Sequence, residues 1–355
     1  SRPHGPVADR LVLLVAVLRA GSDIALAPAT LESLVLGHSG VAVRSIRVTG
    51  TSVAEPAVRN PFPTVPYALQ MAASATQNTR LAAALASVRA TLDAANQDRL
   101  DKAALMVVKL APAGTMDYAG VRETEMFFSA SLLKVVLMYA SFEMAAQVNA
   151  LAPVLGATSA AKFLDRVRRE FATPIARSVR RIPAGPWRAV SFSQVLTATP
   201  AGPPNQFRVA LSATHETHVG KIFSEQNQNT SPRDTMHRLG YSFVNRSLEA
   251  AGFLDSERGV GVWMATDYGS WSDFHVPVST RGGRPPRDGS SSAAMTARDM
   301  ASLLAHLHRG QLVDAASSLR MRTMFESGGP WSWFWQLSDT ASFSFEVTAC
   351  KIGHA

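Results

Sequence analysis

The stretch Phe127 to Met144, FFSASLLKVVLMYASFEM, constrains this chain more than any other. Its polar positions are Ser129, Ser131, Lys134, Ser141 and Glu143, so a helix here is apolar around most of its circumference and belongs in a core. A lysine in such a helix needs a reason. Ser131 and Lys134 stand three apart, which places both side chains on one helical face within reach of each other. A serine hydroxyl is a weak nucleophile until a base takes its proton, and burial disfavours a lysine's charged form, which suits an amine to that task. Ser129 is expected to cap the helix, leaving Ser131 in the first turn, where unpaired N–H groups and the dipole favour negative charge. By length the segment 126–146 could also span a bilayer. Lys134 and Glu143 oppose that reading, since each ionised group near the bilayer centre costs about 2.5 to 3.5 kcal/mol. Because isolated Ser-x-x-Lys matches are common, the rest of the chain has to decide.

A chain of 355 residues can bury a large core, as one large domain with subdomains or as two domains. With 46% hydrophobic and 17% charged residues it reads as globular. The formal charge of +8 favours an anionic partner or surface and does not specify a fold. Cys350, the only cysteine, excludes an intrachain disulfide and leaves the redox compartment open. Leu11 to Leu18, LVLLVAVL, follows Arg10 and precedes Ala25-Leu26-Ala27, which gives part of a signal-peptide pattern. Arg19 and Asp23 interrupt it, and a core helix or strand is the competing reading; the run is too short to span a bilayer.

Residues 1–75 read as an N-terminal extension and linker. Thr30 to Leu36 suits a short helix, Val41 to Val48 alternates like a strand, and Pro56, Pro61, Pro63 and Pro66 break regular structure. An amphipathic helix is expected from Asn78 to Asn96, a buried strand from Ala103 to Leu110, a turn at Pro112 to Gly114 and a returning strand from Met116 to Val121. The polar region Ala150 to Val219 gathers Arg166, Arg168, Arg169, Arg177, Arg180, Arg181 and Arg188. Nucleic-acid surfaces cluster arginine in this way, but no stacking-aromatic or groove-reading motif accompanies it, so a solvated helical face or a contact with an acidic substrate is preferred. His215 and His218 are spaced to share a helical face; without a third ligand they read as a surface pair and not a metal site.

Lys221 to Gly252 reads as two helices joined near Gly240, with Gly240 and Gly252 as helix stops. Asn227 and Asn229 straddle a turn before Thr230 and Pro232, where amide side chains suit either hydrogen bonding in a cleft or turn chemistry alone. Gly259 to Ser292 looks like loop. A helix is expected from Ala293 to Gly310, started by Thr296 and stopped by Gly310, and another from Ala315 to Phe325. Strands at Trp331 to Leu337 and Phe343 to Ala349 then lead into Lys351-Ile352-Gly353.

In this order the pieces resemble the penicillin-recognising serine enzymes, the class A-type β-lactamases and the related DD-peptidases, from about residue 78 to the end. Ser131-Leu-Leu-Lys134 follows a hairpin on a buried helix, and MTARDMASLLAHLHRGQL looks like the family's helix after the Ω loop. Lys351-Ile352-Gly353 sits where the family has Lys-Thr-Gly or Lys-Ser-Gly. The middle motif, Ser-Asp-Asn followed by Thr, best matches Asn227-Gln228-Asn229 followed by Thr230, supported by the eleven-residue step to Gly240.

The resemblance implies an α+β fold over 76–355: an antiparallel sheet flanked by helices and an all-helical lobe at about 125–325, with the serine between them. Ser131 would form an acyl-enzyme with an amide or ester of a small molecule or peptide, and Lys134 would be base or proton relay. Asn229 would bind the substrate amide, and Lys351 would supply positive charge. The N–H groups of Ser131 and His354 would form the oxyanion hole, and Asn227 and Gly353 would complete the substrate contacts. No metal, cofactor, nucleic acid or stable membrane insertion is implied, and an exported or periplasmic location is.

Asn227 replaces the family's proton-relaying serine, and Ile352 replaces a hydroxyl that helps hold the substrate carboxylate. No Glu-x-x-x-Asn precedes Met295, and Asp267 and Asp273 are weak substitutes, so efficient β-lactam hydrolysis is not expected. The sequence stops two residues after Gly353, where the family continues with strands and a helix; either that end is missing or residues 1–75 fill its place. The leading expectation is a serine hydrolase or acyltransferase, and the alternative is a catalytically silent binding protein of the same fold. A nucleic-acid module built on the arginines is a third reading, and its affinity would fall steeply with salt.

Overall fold

Short β-rich runs between turns give the strands of this chain, and longer periodic runs give its helices. The computed structural model describes residues 13–18, 60–64, 66–67, 71–110, 115–202, 205–224, 229–266, 276 and 292–327. The elements expected at Thr30 to Leu36, Val41 to Val48, Trp331 to Leu337 and Phe343 to Ala349 lie outside these residues. In chain order the first elements are β1 (Leu13–Leu18), β2 (Met71–Ala73), α1 (Ala75–Thr91), α2 (Ala94–Lys102), β3 (Ala104–Lys109), β4 (Met116–Val121) and β5 (Met126–Phe128). A 3-10 turn, Ala130–Leu133, leads into α3 (Lys134–Leu155), followed by α4 (Ala160–Ser178), α5 (Phe192–Val195), β6 (Leu196–Pro200) and β7 (Phe207–Leu211). Then come α6 (Ala213–Ser224), α7 (Thr230–Leu239), α8 (Tyr241–Ala250), β8 (Leu254–Asp255), β9 (Val260–Met264), β10 (Ala293–Thr296), α9 (Ala297–His308) and α10 (Ala315–Glu326). The fold is mixed α and β with helices dominating, in keeping with the expected α+β class.

The first sheet has the order β1-β3-β4-β2. Its centre is the antiparallel hairpin expected from sequence, with Leu105 opposite Val121 and Lys109 opposite Asp117. Both outer strands run parallel to their neighbours, β1 to β3 and β2 to β4, so this sheet is mixed and not antiparallel throughout. Parallel neighbours require long crossovers, and α1 and α2 lie in the one that joins β2 to the hairpin. Both outer strands come from the segment read as extension and linker, so a boundary near residue 75 does not part this sheet. The apolar run at the N-terminus is therefore a sheet strand over Leu13–Leu18.

A second sheet, β5-β10-β9-β8, is antiparallel throughout, with Ala294 between Phe128 and Trp263. Strand β9 falls inside the stretch read as loop. Its signal, VGVWM, is short and interrupted by Gly261, whose φ of 124° and close approach to the Phe253 carbonyl leave no room for a Cβ. The first four residues of the helix expected at Ala293 are likewise β10. Helix α9 starts where Thr296 caps it, its Oγ1 accepting from Asp299 N at 2.9 Å.

Helix α3 is the hub, packing against α4, α6, α7, α8, α10 and β7. Every residue from Lys134 to Met144 is buried. It is the one described helix long and apolar enough to cross a membrane, and 67% of its most apolar window is covered by protein, which accounts for its composition. Two asparagines lock strands against helices by imitating a β-ladder. Asn149 exchanges two 2.8 Å hydrogen bonds with the backbone of Val209, and Asn245 does the same with Met264 at 2.6 and 2.9 Å.

Other expected helices are cut by caps. The one at Asn78 to Asn96 breaks at Leu92 because Asp93 accepts from Asn96 N at 2.8 Å and starts α2. The one at Lys221 to Gly240 divides into the end of α6 and all of α7. Gly240 turns the chain from α7 into α8 at φ 72°, and a Cβ there would sit 2.5 Å from the Ala189 carbonyl oxygen.

The arginine-rich helix α4 buries Phe163, Val167, Phe171 and Ile175 on one face. Its basic residues take part in local bonds: Arg166 donates to the Leu155 and Gly156 carbonyls, while Arg168 and Arg169 pair with Asp165. Beyond the helix, Arg188 donates to the carbonyls of Ala176, Arg180 and Ile182.

Candidate active site

Lys134 opens α3 and is only 1% exposed. The polypeptide reaches it directly from β5 through the 3-10 turn that holds Ser131, so Ser131 lies one turn before the lysine. This corrects the expected α-helix start after Ser129: Ala130–Leu133 is a 3-10 turn, with Phe127 and Phe128 in the strand before it, and the α-helix begins at Lys134. Ser129 is not the cap. Its backbone oxygen accepts from Leu132 N at 3.0 Å, its hydroxyl is buried without a hydrogen-bond partner among the described residues, and the N-cap position belongs to Leu133. The backbone N–H of Ser129 donates to the Ala293 carbonyl at 3.0 Å, which ties the approach to β10.

The Lys134 Nζ donates to Asn229 Oδ1 at 2.7 Å, across 95 residues of sequence. Asn229 is exposed and occupies the N-cap position of α7, where an asparagine ordinarily turns its side-chain oxygen to the first N–H groups of the helix. Here it makes no cap hydrogen bond. Its side-chain oxygen is taken instead by the buried amine, a contact that offsets the roughly 1 kcal/mol a cap contributes. Among the sequence-derived site residues, Lys134 and Asn229 are thus brought together. Asn227, Lys351, Gly353 and His354 lie outside the described residues, as do Asp267 and Asp273.

His215 and His218 do share a face of α6, but the surface reading fails for His215, which is fully buried. Its Nε2 lies 2.9 Å from Ser141 Oγ. Ser141 stands seven residues after Lys134, two helical turns on and on the same face of α3. Because Ser141 gives its proton to the Leu137 carbonyl at 2.7 Å, it accepts from His215, which therefore carries its proton on Nε2. Burial, aided by Arg238 and His218, pushes His215 down to about 3, so it is neutral. The pair joins α6 to α3 and is no nucleophile–base couple. His218 lies 3.9 Å from Asp234. Among the described residues no group of three or more His, Cys, Asp or Glu side chains could hold a metal ion.

An open pocket of about 490 Å³ begins at the residue after Asn229. It is lined by Ala213, Thr214, Thr217, His218 and Lys221 of α6 and by Thr230 and Ser231 of α7. Sequence reading singled out only His218 and the turn at Thr230 here. The signal it passed over is the series Thr214, Thr217 and Lys221, spaced along α6 on the face that carries His218.

No protein-family model matches this chain, and no curated protein or solved structure is significantly similar to it.

Proposed function

We propose that the chain is a serine acyl-transfer enzyme, a hydrolase or acyltransferase, in which Ser131 is the nucleophile and Lys134 its base. The observation that carries this reading is the buried Lys134 amine held at 2.7 Å by Asn229, one turn after a serine at the head of the core helix. A burial cost of this kind is rarely sustained without structural or chemical use. The order of hairpin, Ser-x-x-Lys, a mainly helical stretch and Asn229 at a helix start also supports a relationship to the penicillin-recognising fold. Fold alone would not give the activity.

In the proposed reaction a neutral Lys134 takes the Ser131 proton as Oγ attacks the carbonyl carbon of an amide or ester. The tetrahedral intermediate collapses when the C–N or C–O bond breaks and Lys134 returns that proton to the leaving group, leaving an acyl-serine. Water or another acceptor then releases the acyl group. An Asn229 carboxamide that accepts through Oδ1 still carries two Nδ2 hydrogens, suited to a substrate carbonyl. The departures at Asn227 and Ile352 argue for a substrate other than a β-lactam. A fluorescent fluorophosphonate or penicillin should label the full chain, and Ser131→Ala should abolish the label; labelling that survives in Ser131→Ala refutes the assignment. Failure of both probes and of activated esters to form any adduct selects a silent binding protein instead.

A further inference from the structure

The charge of this chain is unevenly placed. Between Ala160 and Arg188 stand eight basic and two acidic residues, so a net +6 of the formal +8 falls within that segment. On α4, Lys162, Arg166, Arg169 and Arg177 recur at steps of four, three and eight and form one exposed stripe, on the side away from the buried Phe163, Val167, Phe171 and Ile175. Arg180 and Arg181, also exposed, extend it past the helix end. Local bonds do not cancel this charge. Arg166 and Arg188 donate to backbone carbonyls, which carry no net charge, and Arg168 and Arg169 share the single carboxylate of Asp165. Arg177 and Arg180 make no ion pair among the described residues. Nor do the elements packed on α4 supply free anions: α5 and β6 have no acidic residue, Glu249 of α8 is paired with Arg246, and Glu143 of α3 is buried.

A second feature adjoins the first. No charged residue occurs between Glu143 and Lys162, and within that gap Val154 is 65% exposed, one of two large apolar side chains so exposed among the described residues. Arg166 donates to the Leu155 carbonyl at 2.6 Å, which places the exposed valine beside the basic stripe. Cations set around a small apolar tip fit the phosphates and the acyl boundary of a lipid surface. A nucleic acid would call for stacking aromatics, and the only aromatic side chain of the basic segment that is not buried, Trp187, packs against His237 and Tyr241. We infer that this face docks on a bilayer rich in anionic phospholipid, with the α4 stripe against the headgroup phosphates and Val154 dipped into the acyl boundary. Because the apolar face of α4 is occupied in the core, the contact is peripheral and led by charge. It does not depend on the acyl-transfer reading.

The test floats the full chain with vesicles of phosphatidylcholine alone and of equimolar phosphatidylcholine and phosphatidylglycerol, at low and at physiological salt. Binding is expected to the mixed vesicles only, and to weaken as salt rises. The double variant Arg177→Gln/Arg180→Gln should weaken it by about tenfold or more, at about fivefold for each arginine removed from the surface. Both side chains are exposed, so this variant should keep the wild-type melting curve. Val154→Ser should weaken binding by about threefold through lost apolar burial. Arg80→Gln/Arg258→Gln removes the same charge from exposed positions elsewhere and should change binding by less than about twofold. No binding to the mixed vesicles, equal loss in the two double variants, or unmoved affinity in Val154→Ser overturns the docking surface. Binding of an oligonucleotide without binding of vesicles overturns the lipid in favour of nucleic acid. Ser131→Ala should bind vesicles like the wild type, so a failure of the acyl-transfer reading leaves this result standing.

Discussion

A lysine and a glutamate are buried on the core helix, and they are held in opposite ways. Lys134 and Glu143 are 1% and 2% exposed and stand nine residues apart, half a turn out of phase, so they leave α3 on opposite faces. Glu143 meets donors from its own helix and from a distant segment. Gln147 Nε2 donates to it at 2.7 Å and the Tyr67 hydroxyl at 3.3 Å, while that hydroxyl accepts from Val313 N at 2.7 Å. The Tyr67 ring stacks on Phe253 and lies 5.1 Å from His306. Burial pushes the Glu143 carboxyl up and the Tyr67 hydroxyl up as well. This cluster of half-buried partners fastens the segment before β2 and the α9–α10 connection to α3. Lys134 is held by an exposed residue beside an open pocket. The same kind of desolvation therefore serves architecture on one face and is available for chemistry on the other.

The sharpest way to break that comparison is to exchange the two groups for neutral ones. Lys134→Met should slow acylation of Ser131 by about 10³-fold, in the range for loss of a general base. Its urea midpoint should be equal to or above wild type, because an apolar side chain of similar volume in place of a buried polar group is often neutral or stabilising. Glu143→Gln should leave acylation within about twofold, since the amide keeps the cluster's hydrogen bonding. Stopped-flow acylation with an activated ester reads both, and a large loss in Glu143→Gln would erase the distinction.

Removing the surface partner should have a smaller effect. Asn229→Ala leaves the buried amine without its amide and should cost about 1 to 3 kcal/mol of stability, measured by urea unfolding. It should also slow acylation by one to two orders of magnitude. An Asn229→Ala protein with wild-type kinetics would make this contact ornamental.

The smallest effects are those of pH. A glutamate whose folded-state pKa is raised binds its proton more readily when folded, so the stability it contributes is full below its ordinary value of 4.5 and is lost as pH rises through the folded value. His306 runs the other way. Burial and Arg309 lower it from 6.5 to about 4, so its contribution is present above pH 6.5 and is lost as pH falls towards 4. Neither slope can exceed about 1.4 kcal/mol per pH unit. Urea midpoints between pH 4 and 8 should show the loss on the alkaline side disappearing in Glu143→Gln. The loss on the acid side should shrink in His306→Phe.

Much of the local order was readable because periodicity and caps act over a few residues. The hairpin at β3 and β4, the buried character of α3, the Thr296 start of α9 and the turn at Gly240 all follow from such signals. Strand β9 was not, since five residues interrupted by a glycine and set in a glycine- and proline-rich stretch carry too little pattern. The parallel placement of β1 and β2 was also hidden, because strand pairing across a crossover leaves no mark in either strand alone. In the candidate site, Ser131, Lys134 and Asn229 were singled out through spacing and resemblance, and the structure joins Lys134 to Asn229. The burial of His215 against Ser141 and the tie from Tyr67 to Glu143 were missed, being contacts across 74 and 76 residues.

The central claim is that a buried amine activates the serine one turn before it. Intact-mass analysis of the wild-type chain and of Lys134→Met after exposure to one activated ester and one fluorophosphonate tests it most directly. The account predicts a single adduct on the wild type, mapped by peptide sequencing to Ser131, and none on Lys134→Met over the same interval. An adduct on any other residue, or equal modification of Ser131 in both proteins, would contradict it.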